Sequence, residues 1–186
     1  MHFKRIHPMS QEETDAIDMT LTEKQFTKGS ILLREGEFST QVYFVINGIV
    51  RQYCLVDAQE KTLNFFADGQ WVLSNSSMDT AQSSNHFLEC STDCLLVMGD
   101  SSKGEKLYNR YPNLGLIARK LMTSIYIEQQ AKHESYLTDG PTDRYRKLLE
   151  NRPDLIQRLP QYQIASYIGV TPESLSRIRK RIMDDY

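Results

Sequence analysis

The sequence predicts an α+β chain: a block of short strands, one long helix, and a small helical end. Three observations carry this. From Phe26 to Met98, short β-type runs alternate with turns rich in Gly, Asn and Asp. From Asn113 to about Thr138 a helical pattern runs without a proline. Between Leu159 and Ile182 two short helical patterns meet at Gly169.

Composition sets the bounds. A chain of 186 residues, 40% hydrophobic and 25% charged, is an ordinary globular composition with room for one large or two small domains. No apolar run approaches the ~18 residues of a membrane span. The opening MHFKRIHPMS lacks the apolar core of a signal peptide, so the expected location is cytoplasmic. Cys54, Cys90 and Cys94 make an odd set without a CxxC spacing. Cys90 and Cys94 fall in strand-like runs and would share a face there, which predicts buried free thiols. The net charge of −2 is unevenly spread. Residues 140–186 hold nine Lys/Arg against six Asp/Glu, whereas residues 1–139 hold thirteen against eighteen. The positive end is the helical end.

Taken in order, Ser10-Gln-Glu-Glu13 is a capping box that opens a polar helix running to about Thr20. The β runs are Ser30–Leu33, Val42–Ile46, Ile49–Val56, Thr62–Phe66, His86–Cys90 and Cys94–Met98. Glu35-Gly-Glu37, Asn47-Gly48, Asp57-Ala-Gln59 and Asp68-Gly69 separate them, and Asn-Gly is the strongest hairpin signal of the four. Strands of this length and spacing predict a sandwich, a jelly roll or a barrel. Ser102-x-x-Glu105 opens another short helix.

The long pattern begins after Tyr111-Pro112. Leu114, Ile117, Leu121 and Ile125 recur three and four apart, an apolar seam that predicts a two-helix dimer contact. Asp139-Gly140-Pro141 breaks the rod and is the candidate hinge. The domains expected are 1–112, 113–138 and 139–186. Thr142–Asn151 reads as a further helix, ended by Arg152-Pro153, with Leu155–Leu159 as a short extended piece before Pro160.

Ile164, Tyr167 and Ile168 then mark a helix closed at Gly169, where a left-handed residue is cheapest. Thr171 caps the next helix, and Pro172 occupies its first position, where a missing N–H costs nothing. Leu175, Ile178 and Ile182 form its apolar stripe. Glu173, Ser174, Arg177, Lys180 and Arg181 lie opposite, with Arg179 nearby. A helix, a glycine turn and a polar-basic second helix describe a helix-turn-helix.

The string IASYIGVTPESLSRIRK resembles the helix-turn-helix of the Crp–Fnr family of bacterial transcription regulators. The order of elements upstream extends the resemblance across nearly the whole chain. It implies an N-terminal β-roll sensor domain of the cyclic nucleotide-binding type, jelly-roll-like in form. A dimerisation helix and a small DNA-reading domain follow it. Double-stranded DNA and a second copy of the chain are the implied partners, with RNA polymerase a further one to test. Carried over by position, Glu173 and Arg177 fall where the family reads bases, and Ser174 faces base or phosphate. Thr171, Gln161, Arg179, Lys180 and Arg181 fall to phosphates. Pro172 stands where nucleotide-sensing relatives place an arginine. With the sequence ending at Tyr186, the C-terminal wing of the family is expected to be lacking, and residues 152–160 are short for a full hairpin before the motif.

The same resemblance places a ligand pocket around Ser74, Ser83, Ser84 and Asn85. The family's ribose-binding glutamate falls on Ser74, its phosphate-binding arginine on Ser84, and its small polar residue on Asn85. The stretch Val72–His86 contains no Lys or Arg, and a phosphate leaving water needs a charge partner or several aimed donors. Cyclic AMP is therefore expected to bind poorly, and no cofactor is assigned. No cysteine precedes Cys54, which removes the family's iron–sulfur mechanism. No spacing among His2, His7, His86 and His133 favours haem. An enzyme is not expected, since GxSxG, HExxH, P-loop and GxGxxG patterns are absent. The alternative is a ligand-binding β-roll that regulates through protein contacts rather than DNA.

Overall fold

The computed structural model describes residues 8–74, 77 and 82–184. Its strand block forms two four-stranded antiparallel sheets that share a core. One sheet has the order β1 (Thr22–Phe26), β8 (Cys94–Asp100), β3 (Gln41–Asn47), β6 (Trp71–Val72). The other runs β2 (Ile31–Leu33), β7 (Phe87–Cys90), β4 (Val50–Val56), β5 (Gln59–Phe66). Val45, Val72 and Leu96 from the first sheet meet Val50 and Leu88 from the second, all essentially buried. This is the jelly-roll-like β block the strand spacing predicts.

The turn residues explain the corners. Gly48 follows β3 with φ +116°, and a Cβ there would lie 2.6 Å from Cys94 Sγ, so only glycine fits. Asp57 and Ala58 both take positive φ in the two-residue β4–β5 loop, whose strands pair from Val56–Gln59 onward. Cys90 and Cys94 are buried free thiols contributed by opposite sheets.

Two strands escape the sequence reading. β1 is a sheet-edge strand of sequence TEKQF, almost wholly exposed, so no apolar alternation marks it. β6 is only two residues long.

The helices follow the caps. α1 (Gln11–Asp18) carries the full Ser10/Glu13 capping box. α2 (Ser101–Arg110) starts before the expected Ser102. Asp100 caps it instead, its carboxylate accepting from the Ser102 N–H at 3.0 Å and hydroxyl at 2.7 Å. Those bonds hold the Asp100 carboxyl below its usual range. α3 (Pro112–Thr138) has 27 residues, a rod of about 40 Å at 1.5 Å per residue.

The seam expected on α3 is open only in its second half. Leu114 and Ile117 are each 2% exposed within the single chain, so they serve its own core and are closed to a partner. Leu121 and Ile125 are half-buried. The uncovered apolar side chains Leu116, Tyr126, Ile127 and Leu137 lie on another face. The first half of the stripe thus faces its own chain, while Leu121 and Ile125 keep part of their surface open.

After α3 come α4 (Pro141–Asn151) and α5 (Pro153–Arg158). The segment expected to be extended is thus mostly helical. Pro153 starts that helix, Arg152 pairs with Asp154 at 3.2 Å, and Leu155 drives it inward at 1% exposure. The last two helices are α6 (Gln161–Ile168) and α7 (Pro172–Asp184). Among the described residues no strand follows β8.

This helical end packs on the roll. Ile49, Phe65 and Ala67 of the strand block lie in one buried cluster with Leu148, Ile164 and Leu175. Arg144 ties the end of α3 to this head. Its guanidinium donates to Tyr136 O at 3.2 Å, Asp139 O at 2.8 Å and Ile168 O at 3.0 Å, and lies 4.7 Å over the Tyr136 ring.

Candidate nucleic-acid interface

The site is built on the turn between α6 and α7. Gly169 ends α6 with φ +77°, and a Cβ there would come within 2.9 Å of Tyr136 Oη. The positive φ favours glycine, and any larger residue would also have to push the Tyr136 hydroxyl aside. Val170 N–H returns to Ala165 O at 2.9 Å, closing the α6 end. Thr171 Oγ1 accepts from Ser174 N–H at 3.3 Å, and Leu175 N–H donates to Thr171 O at 2.9 Å. Thr171 thus caps α7 as the sequence predicts.

Leu175 and Ile182 turn inward at 1% and 6% exposure, and Ile178 packs beside them. The opposite face is left open. Glu173, Arg177 and Lys180 sit four and three residues apart on it, all exposed, with Arg181 exposed at its flank. The Glu173 carboxyl lies below its usual range, held there by its own backbone N–H, the Thr171 hydroxyl and nearby Arg177. It is an ionised acceptor at neutral pH. Arg177 Nη2 donates to Ser174 Oγ at 3.2 Å, and Thr171 donates to the same oxygen at 3.3 Å. Base-reading candidates and cap are therefore joined in one hydroxyl-centred chain.

Gln161 and Arg179 lie to one side of this face, and Lys180 at its edge joins them. A cavity of about 200 Å³ beneath α7 is lined in part by Gln161, Leu175 and Arg179. An adjoining groove is lined by Gln161, Ser176, Arg179, Lys180, Met183 and Asp184. The structure thus gathers three of the five phosphate candidates along one flank of α7, while Thr171 and Arg181 lie away from it.

The pocket candidates come out differently. Ser74 and Ser77 bond each other, Ser77 Oγ donating to Ser74 O at 2.8 Å. Ser84 Oγ donates to His86 O at 2.8 Å and is buried, while Ser83 and Asn85 are exposed. The buried hydroxyls here hold the chain's own backbone. His86 Nδ1 lies 2.9 Å from Asn85 Oδ1, and burial lowers the His86 pKa. His2 and His7 lie outside the described residues.

Sequence reading missed a buried cation. Arg51 on β4 is 2% exposed, donates to Thr62 Oγ1 at 2.9 Å and Glu60 Oε2 at 2.7 Å, and lies 4.4 Å over the Tyr53 ring. Burial pushes Glu89, 3.9 Å from Arg51, above its usual range, with Arg51 opposing. An arginine in a short strand carries no signal of its burial.

Comparison with known proteins places this geometry in a class. Residues 23–111 match the family model of the cyclic nucleotide-binding domain. A search of curated proteins gives no match. Among solved structures, the c-di-GMP-responsive global regulator CLP of Xanthomonas campestris aligns over 95% of this chain and 93% of its own at 18% identity, with a TM-score of 0.73. FixK2 from Bradyrhizobium japonicum aligns over 89% and 85% at 22% identity and TM-score 0.71. A Eubacterium rectale protein, described as a Crp–Fnr family transcriptional regulator, aligns over 97% and 88% at 18% identity and TM-score 0.72. Residues 23–111 are thus similar to a cyclic nucleotide-binding domain, and over nearly its whole length the chain has the fold of these solved regulators. No helix of the described residues is long and apolar enough to cross a membrane.

Proposed function

We propose that the chain is a sequence-specific DNA-binding transcription regulator that acts as a homodimer on a palindromic site. The observation that carries this reading is the exposed α7 face with Glu173, Arg177 and Lys180 on a capped helix-turn-helix. A recognition helix needs acceptors and forked donors near its start and cations further along. Glu173 accepts from a cytosine amino group and Arg177 forks onto a guanine, whereas Arg179, Lys180, Arg181, Thr171 and Gln161 hold phosphates.

The second copy docks on the uncovered face of α3. Leu116, Thr123, Ile127, Gln130 and Leu137 recur at three- to seven-residue spacing there, all exposed. Polar positions within this stripe make it a modest seam, with Tyr126 widening it.

The sensor does not use the usual cyclic-AMP contacts. Ser84 spends its hydroxyl on His86 O, and no cation stands in Val72–His86. The test is gel shift with selected duplexes over a salt series, with and without cyclic AMP. Salt-dependent shifts indifferent to the nucleotide support the reading. Complete lack of a shift would favour a β-roll that regulates through protein contacts.

A further inference from the structure

We propose that Ser166 is a positioning residue for DNA reading, its hydroxyl pinning the helix-turn-helix to the free edge of the β-roll; this rests on the DNA-binding function proposed above. β5 is the outer strand of its sheet, so its outward backbone groups have no strand partner. Ser166 Oγ accepts from Thr62 N–H at 2.9 Å and donates to Glu60 O at 3.1 Å. One hydroxyl of α6 thereby satisfies a donor and an acceptor of the sheet edge.

Neighbouring contacts share the docking. The Tyr167 ring meets Phe65 edge-on at 5.2 Å. Arg158 reaches Asp68 at 3.3 Å, and the same carboxylate accepts from Gly48 N–H at 2.8 Å. Because α6 and α7 share a core and a three-residue turn, fixing α6 fixes the direction α7 faces. Glu173, Arg177 and Lys180 stay exposed in this pose, so the docked head presents its reading face.

One buried group works against the docking. Gln163 lies on the same face of α6 as Ser166 and Tyr167, is 2% exposed, and its Oε1 has no hydrogen-bond partner. A buried acceptor left unpaired opposes the docked state. The Ser166 bonds therefore weigh heavily in whether the head stays in place. The arrangement ties sensor and reader directly, without passing through α3.

The experiment compares full-length wild type, Ser166→Ala, and Ser166→Thr, which keeps the hydroxyl. Amide exchange at Thr62 reads the latch without DNA. Ser166→Ala should raise that rate about tenfold, the worth of one well-placed hydrogen bond, while Ser166→Thr restores protection. Duplexes carrying the selected palindrome, with the half-site spacing changed by one or two base pairs, read the positioning role. Wild type and Ser166→Thr should prefer one spacing, and Ser166→Ala should bind the spacings nearly alike. Unchanged Thr62 exchange in Ser166→Ala would overturn the latch. Faster exchange with spacing preference still sharp would overturn the positioning role. Should wild type bind no duplex, the DNA reading and the positioning role would both fall, and Thr62 exchange would still decide the latch. If Ser166→Ala fails to fold, wild-type Thr62 decides: rapid exchange there refutes the latch, and slow exchange, unexpected for an edge strand, supports it.

Discussion

Replacing Arg144 with Met should loosen the joint between α3 and the reading head. Arg144 makes three hydrogen bonds to the carbonyls of Tyr136, Asp139 and Ile168, and stacks on Tyr136. Two of those carbonyls belong to the last turns of α3 and α6, where intrahelical partners run out. Each bond contributes about 1 kcal/mol net, and the half-buried cation–π contact about 0.5–1 kcal/mol. The loss should come to about 2–4 kcal/mol. Arg144→Lys should recover little, because one ammonium cannot reproduce a planar fork. Urea unfolding followed by circular dichroism measures this, with the midpoint falling by about 1 M at slopes usual for small proteins. A change below about 0.5 kcal/mol, the range of inert surface substitutions, would mean that the joint is held elsewhere.

On selected sites, Arg177→Ala should cost about 1–3 kcal/mol and relax preference at one base pair per half-site, whereas Lys180→Ala should weaken all sequences alike and flatten the salt dependence. Equal effects of the two on base preference would refute the assigned roles. Converting Ile127 and Leu137 together to Lys should give monomers by sedimentation, since both are exposed in the single chain at 63% and 70%; a wild type that is itself monomeric at micromolar concentration would refute the seam. His86 is buried and its pKa is lowered from 6.5, so the unfolded chain takes up that proton first on acidification. Its contribution should be intact above pH 6.5 and lost progressively as pH falls from there through the folded-state value. His86→Gln should flatten this part of the stability profile, and an unaltered profile would show that another group titrates.

Local chemistry made much of this fold legible. Ser10 and Glu13 and Gly169-Val-Thr-Pro172 each act within a few residues, and each appears where its spacing places it. The same holds for the inward turn of Leu175 and Ile182. Asn47-Gly48 turns the chain but not as the expected hairpin, because β3 and β4 belong to different sheets and the tight hairpin lies at Asp57-Ala58. Sidedness was harder. Leu114 and Ile117 recur as a dimer seam would, but periodicity does not say which body covers a stripe. β1 was hidden by its exposure, and α5 by a proline pair that reads equally as extended chain. The docking of head on roll was invisible, because Ser166 meets backbone groups of Thr62 and Glu60 about a hundred residues away. Arg51 was hidden likewise, its partners fixed only once β4 and β5 pair.

The most direct measurement is enrichment of a random duplex library by the full-length chain, followed by affinity for the winning site across a salt series. The expected winner is a palindrome with half-sites about one helical turn apart. Its log affinity should fall linearly with log salt, at about −0.9 per phosphate neutralised. No enriched sequence, or an affinity indifferent to salt, would contradict the assignment of α7 as a DNA-reading helix.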